Sequence, residues 1–236
     1  MNLPTTGIIA SIAEPTPAAM LSAAVHAHAA HADVIELRFD ALNDELEPLF
    51  SEVREKTGLP LLATCRNASQ NGKFTGSERE RAKRLMEAIG AGADFVDVED
   101  ESSPEFKEKI FSAARKSGCK IILSTHDFKG TPDWETLVSR FEEMRLQKPD
   151  MLKIVTTANS HQDGERVLGL IAKGREAGIH VIAFAMGAEG SFTRLEALAR
   201  KSLTYASVFN ATAPGQKTVA EVDAWRKQHL KKNRIK

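Results

Sequence analysis

Met151-Leu152-Lys153-Ile154-Val155-Thr156-Thr157 leads, after a short connection, into His161–Ala177 and then into His180-Val181-Ile182-Ala183-Phe184-Ala185-Met186. The two outer runs are short and apolar, as buried strands are. The run between them has the Ala, Glu, Lys and Arg content and the spacing of a helix. Strand, helix and strand in succession imply parallel strands covered by the helix. The same alternation reaches both ends of the chain. Strands are predicted over Gly7–Ala13, Asp33–Asp40, Pro60–Arg66, Asp94–Glu99, Lys120–His126 and Leu203–Phe209 as well. Helices are predicted over Ser77–Ala91, Pro104–Ser117 and Thr131–Leu146, with a last one from Val219 to Lys231. Ser77 with Glu80 has the form of a capping box, and Pro104 and Pro132 suit a first helical turn. Gly58, Gly92, Gly118 and Gly178 stand at helix exits.

Eight such units without a Pro/Gly/Ser-rich linker, in 236 residues, are the count of a single (β/α)8 barrel spanning 1–236. A doubly wound open sheet is the competing architecture, but no G-x-G-x-x-G follows the first strand. The chain has 32 basic and 32 acidic residues, which argues against a nucleic-acid partner. No apolar run approaches a membrane span, and the N-terminus lacks the basic and apolar regions of a signal peptide. Cys65 and Cys119 fall in or beside apolar runs, which fits reduced core thiols and a cytoplasmic location.

Lys153 is the unusual residue. It interrupts a buried strand, and nothing near it in sequence pairs it. Burial disfavours the ammonium, and a neutral amine held in place is a nucleophile toward carbonyls. A lysine snorkelling from a strand end is the plain alternative. The other strand ends bear on that choice, because side chains two apart share a face. Glu36 and Arg38 share one with Val34, while Ile35 and Leu37 face the helices. Thr64 pairs with Arg66 in this sense, Ser124 with His126, Lys153 with Met151 and Val155, and Phe184 with Met186. In a barrel these residues converge on the mouth at the C-terminal ends of the strands. They supply an amine, a histidine, a carboxylate and two guanidinium groups, a set suited to a small polyhydroxylated anion. Each alone has an ordinary reading: a structural Glu–Arg pair, or a hydrogen-bonded core histidine. Arg194, after the glycine-containing Met186–Arg194 loop, lies at a helix start where an anion is favoured. Thr212-Ala-Pro-Gly-Gln216 forms a connector or a lid. His26, His28 and His31 have no carboxylate or cysteine to complete a metal site. Only His28 and His31 share a predicted helical face, so a solvated surface is expected there, as it is for the basic Arg226–Lys236 end.

The motifs Glu36-Leu-Arg38-x-Asp40, Ala63-Thr-Cys-Arg66, Asp97-Val-Glu99, Ser124-Thr-His-Asp-Phe128, Lys153-Ile-Val155, Met186-Gly with Arg194, and Ala213-Pro-Gly-Gln216 occur in order, each at its own strand end. In this the chain resembles the type I 3-dehydroquinate dehydratases, over nearly its whole length. The resemblance implies dehydration of 3-dehydroquinate to 3-dehydroshikimate in the shikimate pathway, without cofactor or metal, by a homodimer. It implies that Lys153 forms an imine with the substrate ketone, and that His126 removes the adjacent proton and protonates the leaving hydroxyl on the same side of the ring. It implies that Arg194 and Gln216 hold the carboxylate, and that Glu36, Arg38 and Arg66 read the ring hydroxyls. Met186 and Tyr205 would pack on the ring, and Ser11, Gln70 and Thr212 complete the candidate substrate-binding set. Two positions depart from the family pattern. Gln70 stands where a Glu usually pairs with the histidine, and Thr212 where a serine usually stands. A neutral amide orients His126 but cannot stabilise its imidazolium, so a lowered histidine pKa is expected. Two other readings remain on the residues alone. One is an aldolase-like Schiff-base barrel, less suited because such enzymes grip phosphate near strands seven and eight. The other is a degenerate barrel that binds a ligand without turnover.

Overall fold

The computed structural model describes residues 4–209 and 216–229. Its strands are β1 (Gly7–Ile12), β2 (Val34–Arg38), β3 (Leu61–Thr64), β4 (Phe95–Glu99), β5 (Lys120–His126), β6 (Met151–Thr157), β7 (His180–Met186) and β8 (Leu203–Ser207). They alternate with helices α1 (Pro17–Ala29), α2 (Leu46–Thr57), α3 (Glu78–Gly90), α4 (Pro104–Ser117), α5 (Trp134–Leu146), α6 (His161–Glu176), α7 (Thr193–Ala199) and α8 (Val219–His229). The strands are all parallel, in the order β7-β6-β5-β4-β3-β2-β1-β8. Contact between β7 and β8 brings the ends of the sheet together. This is the expected (β/α)8 barrel in one domain. Among the described residues no helix is long and apolar enough to cross a membrane.

Local chemistry explains the element boundaries. Ser77 and Glu80 form a reciprocal capping box at α3, and Pro104 opens α4 after the Ser103 cap. Gly58 and Gly118 close α2 and α4 in the left-handed region. Five expectations need correction. Pro132 precedes α5 rather than opening it, because the Asp133 side chain takes the cap by accepting from the Thr136 N–H. β3 stops at Thr64, since Arg66 turns its carbonyl to the Phe74 N–H, and β8 stops at Ser207, whose N–H bonds Lys217. His31 lies beyond the end of α1 with φ 68°, so it shares no helical face with His28. Arg226 is no solvated end. It bonds Asp33, Asp223 and the His31 carbonyl and ties α8 to the β1–β2 side of the barrel. Residues 230–236 lie outside the described residues. Cys65 and Cys119 are free and buried, and burial pushes both thiols up to about 12.

Two apolar cores result. Outward-facing strand residues such as Ile35, Leu37, Ile121 and Ala183 pack against the helices. Inside the barrel each strand contributes one apolar residue to a floor: Ile9, Val34, Leu62, Phe95, Ile122, Met151, Ile182 and Leu203. Two residues further along the same strands stand Ser11, Glu36, Thr64, Asp97, Ser124, Lys153, Phe184 and Tyr205, all buried. On seven of the eight strands the interior therefore changes from apolar to polar in one step of the pleat, toward the C-terminal ends, with Phe184 the apolar exception.

Candidate active site

Above the floor lies a cavity of roughly 360 Å³ at the C-terminal ends of the strands. Ser11, Glu36, Arg38, Arg66, Gln70, His126, Lys153, Met186, Arg194 and Gln216 all line it. These are ten of the residues singled out from the sequence; Thr212 lies outside the described residues. Period-two alternation brings them there from β1, β2, β5, β6 and β7. A 3-10 turn, Ala68–Gln70, brings Gln70, and the start of α7 brings Arg194.

Lys153 is buried at the centre of β6, and its amine has a partner that its sequence neighbourhood does not reveal. Nζ lies 3.3 Å from Asp97 Oδ2, and 4.2 Å from the centre of the Tyr205 ring. Asp97 also receives Arg66 at 2.9 Å and the Ser124 hydroxyl at 2.7 Å. Burial pushes the Lys153 pKa down; Asp97 opposes this and Arg66 adds to it, with a net lowering. Burial pushes Asp97 up, but Arg66, Lys153 and the Ser124 hydrogen bond outweigh it and hold the carboxylate below its usual range. Arg66 is tied further to Glu99 at 3.0 Å, and burial of its guanidinium is outweighed by Asp97 and Glu99.

His126 stands two residues beyond Ser124, with its Cα opposite Val155, one step above Lys153 on the same wall. Burial, then Arg66 and Lys153, lower its pKa well below 6.5, so the imidazole rests neutral. Its Nδ1 is buried without a hydrogen-bond partner, as is Gln70 Oε1. The orienting contact expected of the amide is therefore not made through Gln70 Oε1 or His126 Nδ1. Instead the Phe128 ring stacks beside the imidazole, with centroids 5.9 Å apart and planes 11° apart.

Glu36 and Arg38 do not pair with each other. Glu36 accepts from the Ser11 hydroxyl and from Thr64 at 2.9 Å, while Arg38 pairs with Asp40 at 2.8 Å. Arg194 differs from both arginines. It is 2% exposed, stacks 4.2 Å from the centre of the Phe184 ring, and has no carboxylate partner among the described residues. Burial lowers its pKa to about 10, and its Nε has no partner. A buried guanidinium facing a cavity with no carboxylate beside it among the described residues is chemically able to receive an anion. Sequence reading gave no separate role to Asp97, although its alternation with Glu99 across Val98 put both on the inner face. Phe128, Phe184 and Asn71 also line the cavity. The two phenylalanines stand on or beside inner strand faces, and Asn71 follows the 3-10 turn.

The sequence profile described as type I 3-dehydroquinase matches residues 8–229. The 3-dehydroquinate dehydratase of Methanothermobacter thermautotrophicus is 36% identical over 223 residues, covering 94% of this chain and 95% of the relative. That of Thermococcus gammatolerans is 38% identical over 195 residues, covering 81% and 85%. The crystal structure of the type I 3-dehydroquinate dehydratase of Clostridium difficile with covalently modified comenic acid superposes with a TM-score of 0.87 at 25% identity, over 98% of this chain and 94% of that one. With its barrel, its buried strand-six lysine and these relatives, the chain belongs to the type I 3-dehydroquinase family.

Proposed function

We propose that the cavity at the C-terminal ends of the strands dehydrates 3-dehydroquinate to 3-dehydroshikimate through an imine on Lys153. The observation that carries the reading is Lys153 itself: a buried amine with a lowered pKa, held by Asp97 and open to a cavity that a neutral His126 shares. The amine adds to the ketone carbon and the carbonyl oxygen leaves as water. The resulting iminium withdraws electrons from the neighbouring carbon and acidifies its C–H. Neutral His126 takes that proton, and the electron pair moves into the enamine. The enamine then expels the β-hydroxyl, which leaves as water with the proton that His126 returns. Hydrolysis of the imine frees the product and restores the amine. One base that gives back the proton it took requires both events on one face, hence syn elimination.

Arg194 would take the substrate carboxylate, with Gln216 beside it, and Thr212 completes the set by family resemblance. Glu36 and Arg38 would read the ring hydroxyls. Arg66 is already bound to Asp97, Glu99 and Ser124. Its part in this reading is to hold Asp97 as much as to touch substrate. The same reading includes a cytoplasmic homodimer, which size-exclusion chromatography with light scattering tests. The chemistry is tested by mixing the protein with 3-dehydroquinate and borohydride and mapping the adduct. A reduced ligand on Lys153 is expected, and Lys153→Ala should lose both the adduct and turnover while keeping its melting temperature within a few degrees. Wild-type rates in that variant would end the imine mechanism.

A further inference from the structure

Arg81 sits on α3, outside the cavity, and is 2% exposed. Its guanidinium binds Glu99 through Nη1 and Ser102 through Nη2 at 2.6 Å, lies 4.3 Å from the centre of the Phe106 ring, and has the part-exposed Glu78 of the same helix at the longer distance of 3.6 Å. Glu99 in turn holds Arg66 at 3.0 Å and accepts from the Asn67 N–H at 3.1 Å. Arg66 reaches Asp97 and Asp97 reaches Lys153. Charge alternates in sign along this buried chain from α3 to the cavity. The four buried charges Arg81, Glu99, Arg66 and Asp97 balance when the Lys153 amine is neutral, and the ammonium adds one positive charge; Glu78, the further carboxylate on Arg81, is 39% exposed and screened by water. The other charged or titratable groups facing Lys153 are Glu36 on β2, His126 on β5 and Tyr205 on β8, with Arg38 and Arg194 at the cavity wall. None of them touches Arg81 or Glu99.

We propose that Arg81 is a positioning residue for Lys153, acting through Glu99, Arg66 and Asp97. By giving Glu99 a cation of its own, it leaves Arg66 to Asp97. Asp97 then does not need the Lys153 ammonium as its counter-ion, and the amine is free to add to a ketone. Without Arg81, Glu99 draws Arg66 toward itself, Asp97 turns to Lys153, and the ammonium is stabilised. The inference rests on the reading of Lys153 as the imine-forming residue.

The test is the pH dependence of adduct formation on Lys153 with 3-dehydroquinate and cyanoborohydride, followed by peptide mass. In that reaction the neutral amine adds to the ketone carbon and the oxygen leaves as water with the two amine hydrogens. A proton and a hydride then reduce the imine to a stable secondary amine. Arg81→Met should move the midpoint to higher pH by about one unit, so that labelling below the midpoint is about tenfold slower. Arg81→Lys should restore most of the wild-type profile. Arg81→Met with Glu99→Gln removes both charges and should bring the midpoint back. Glu99→Gln alone should move it the opposite way, to lower pH, which keeps the proposal testable if Arg81→Met does not fold. A folded Arg81→Met protein with the wild-type midpoint overturns the proposal, as does an unmoved or upward midpoint in Glu99→Gln. Wild-type protein that gives no adduct at any pH instead refutes the imine reading itself, so the two failures are distinguishable.

Discussion

Arg194 and Gln70 show what a single side chain contributes here. Arg38 and Arg66 are bound to carboxylates, whereas Arg194 is buried with no anion beside it among the described residues. Its energy is therefore recovered only when a substrate carboxylate arrives. A charged hydrogen bond is worth about 1.5–3 kcal/mol, so Arg194→Leu should raise KM roughly 10- to 100-fold. It should leave adduct formation on Lys153 intact at saturating substrate. A KM unchanged within twofold would remove Arg194 from the carboxylate site. Gln70 raises the complementary question, since it lines the cavity with His126 and carries no charge. Gln70→Glu should raise the His126 pKa, because a nearby carboxylate favours the imidazolium. Histidine NMR titration of the variant against wild type reads this directly, and an unmoved resonance would place the new carboxylate out of reach. Both residues were visible in the sequence, one at a helix start and one by its place in a family motif. The orphaned state of Arg194 was not visible, because a counter-ion can come from any strand. Asp97 shows the converse: it pairs with a lysine 56 positions away.

At the scale of elements, the segment between β3 and α3 decides how the cavity is walled. Arg66 leaves the sheet, the 3-10 turn Ala68–Gln70 follows, and Asn71 takes a left-handed conformation at φ 56°. Glu99 holds the start of the segment at the Asn67 N–H, and Asp40 holds its end at the Lys73 N–H, 2.9 Å away. Both carboxylates also bind cavity arginines, so the segment and the arginines share their anchors. Gly72 makes the close return possible, since a Cβ there would stand 2.0 Å from the Arg66 carbonyl oxygen. Gly72→Ala should therefore push the segment off its anchors, cost on the order of 1–3 kcal/mol, and speed amide exchange at Ala68 and Phe74. Wild-type protection at those amides would show that the segment absorbs a methyl group. The strands around this segment were legible from period-two alternation. Its fold was not, because it depends on backbone bonds to carboxylates from β2 and β4. α3 was legible as an amphipathic helix with a capping box. Arg81 on that helix would have passed for a solvent-exposed residue, since nothing in its own sequence window reports the Glu99 that buries it.

For the whole molecule, the barrel concentrates its buried charge in one region, and stability must then depend on pH in a defined way. The alternation of eight strands and eight helices fixed that architecture in the sequence. The sense in which each inner charge is compensated emerges only when the ring closes. Asp97 has a depressed pKa in the folded state, so its contribution is present above its unfolded value near 3.8 and is lost as pH falls through the folded one. His126 acts at milder pH. Its folded pKa also lies below the unfolded value of 6.5, so between the two the unfolded chain holds a proton that the folded protein lacks. Stability should fall as pH drops below about 6.5 and stop falling, as far as this group is concerned, once the folded pKa is passed. The slope has a ceiling of about 1.4 kcal/mol per pH unit for one proton, and is smaller wherever the unfolded ring is only partly protonated or the folded ring only partly neutral. Urea unfolding of wild type and His126→Gln at intervals from pH 8 to pH 5 isolates the effect, since every other group is shared. Wild type should lose stability toward pH 5 and the variant should lose less, with the two curves converging in slope above pH 7.5. Parallel curves across the whole range would mean that His126 titrates alike in the folded and unfolded chains, and that the neutral base assigned to it needs another origin.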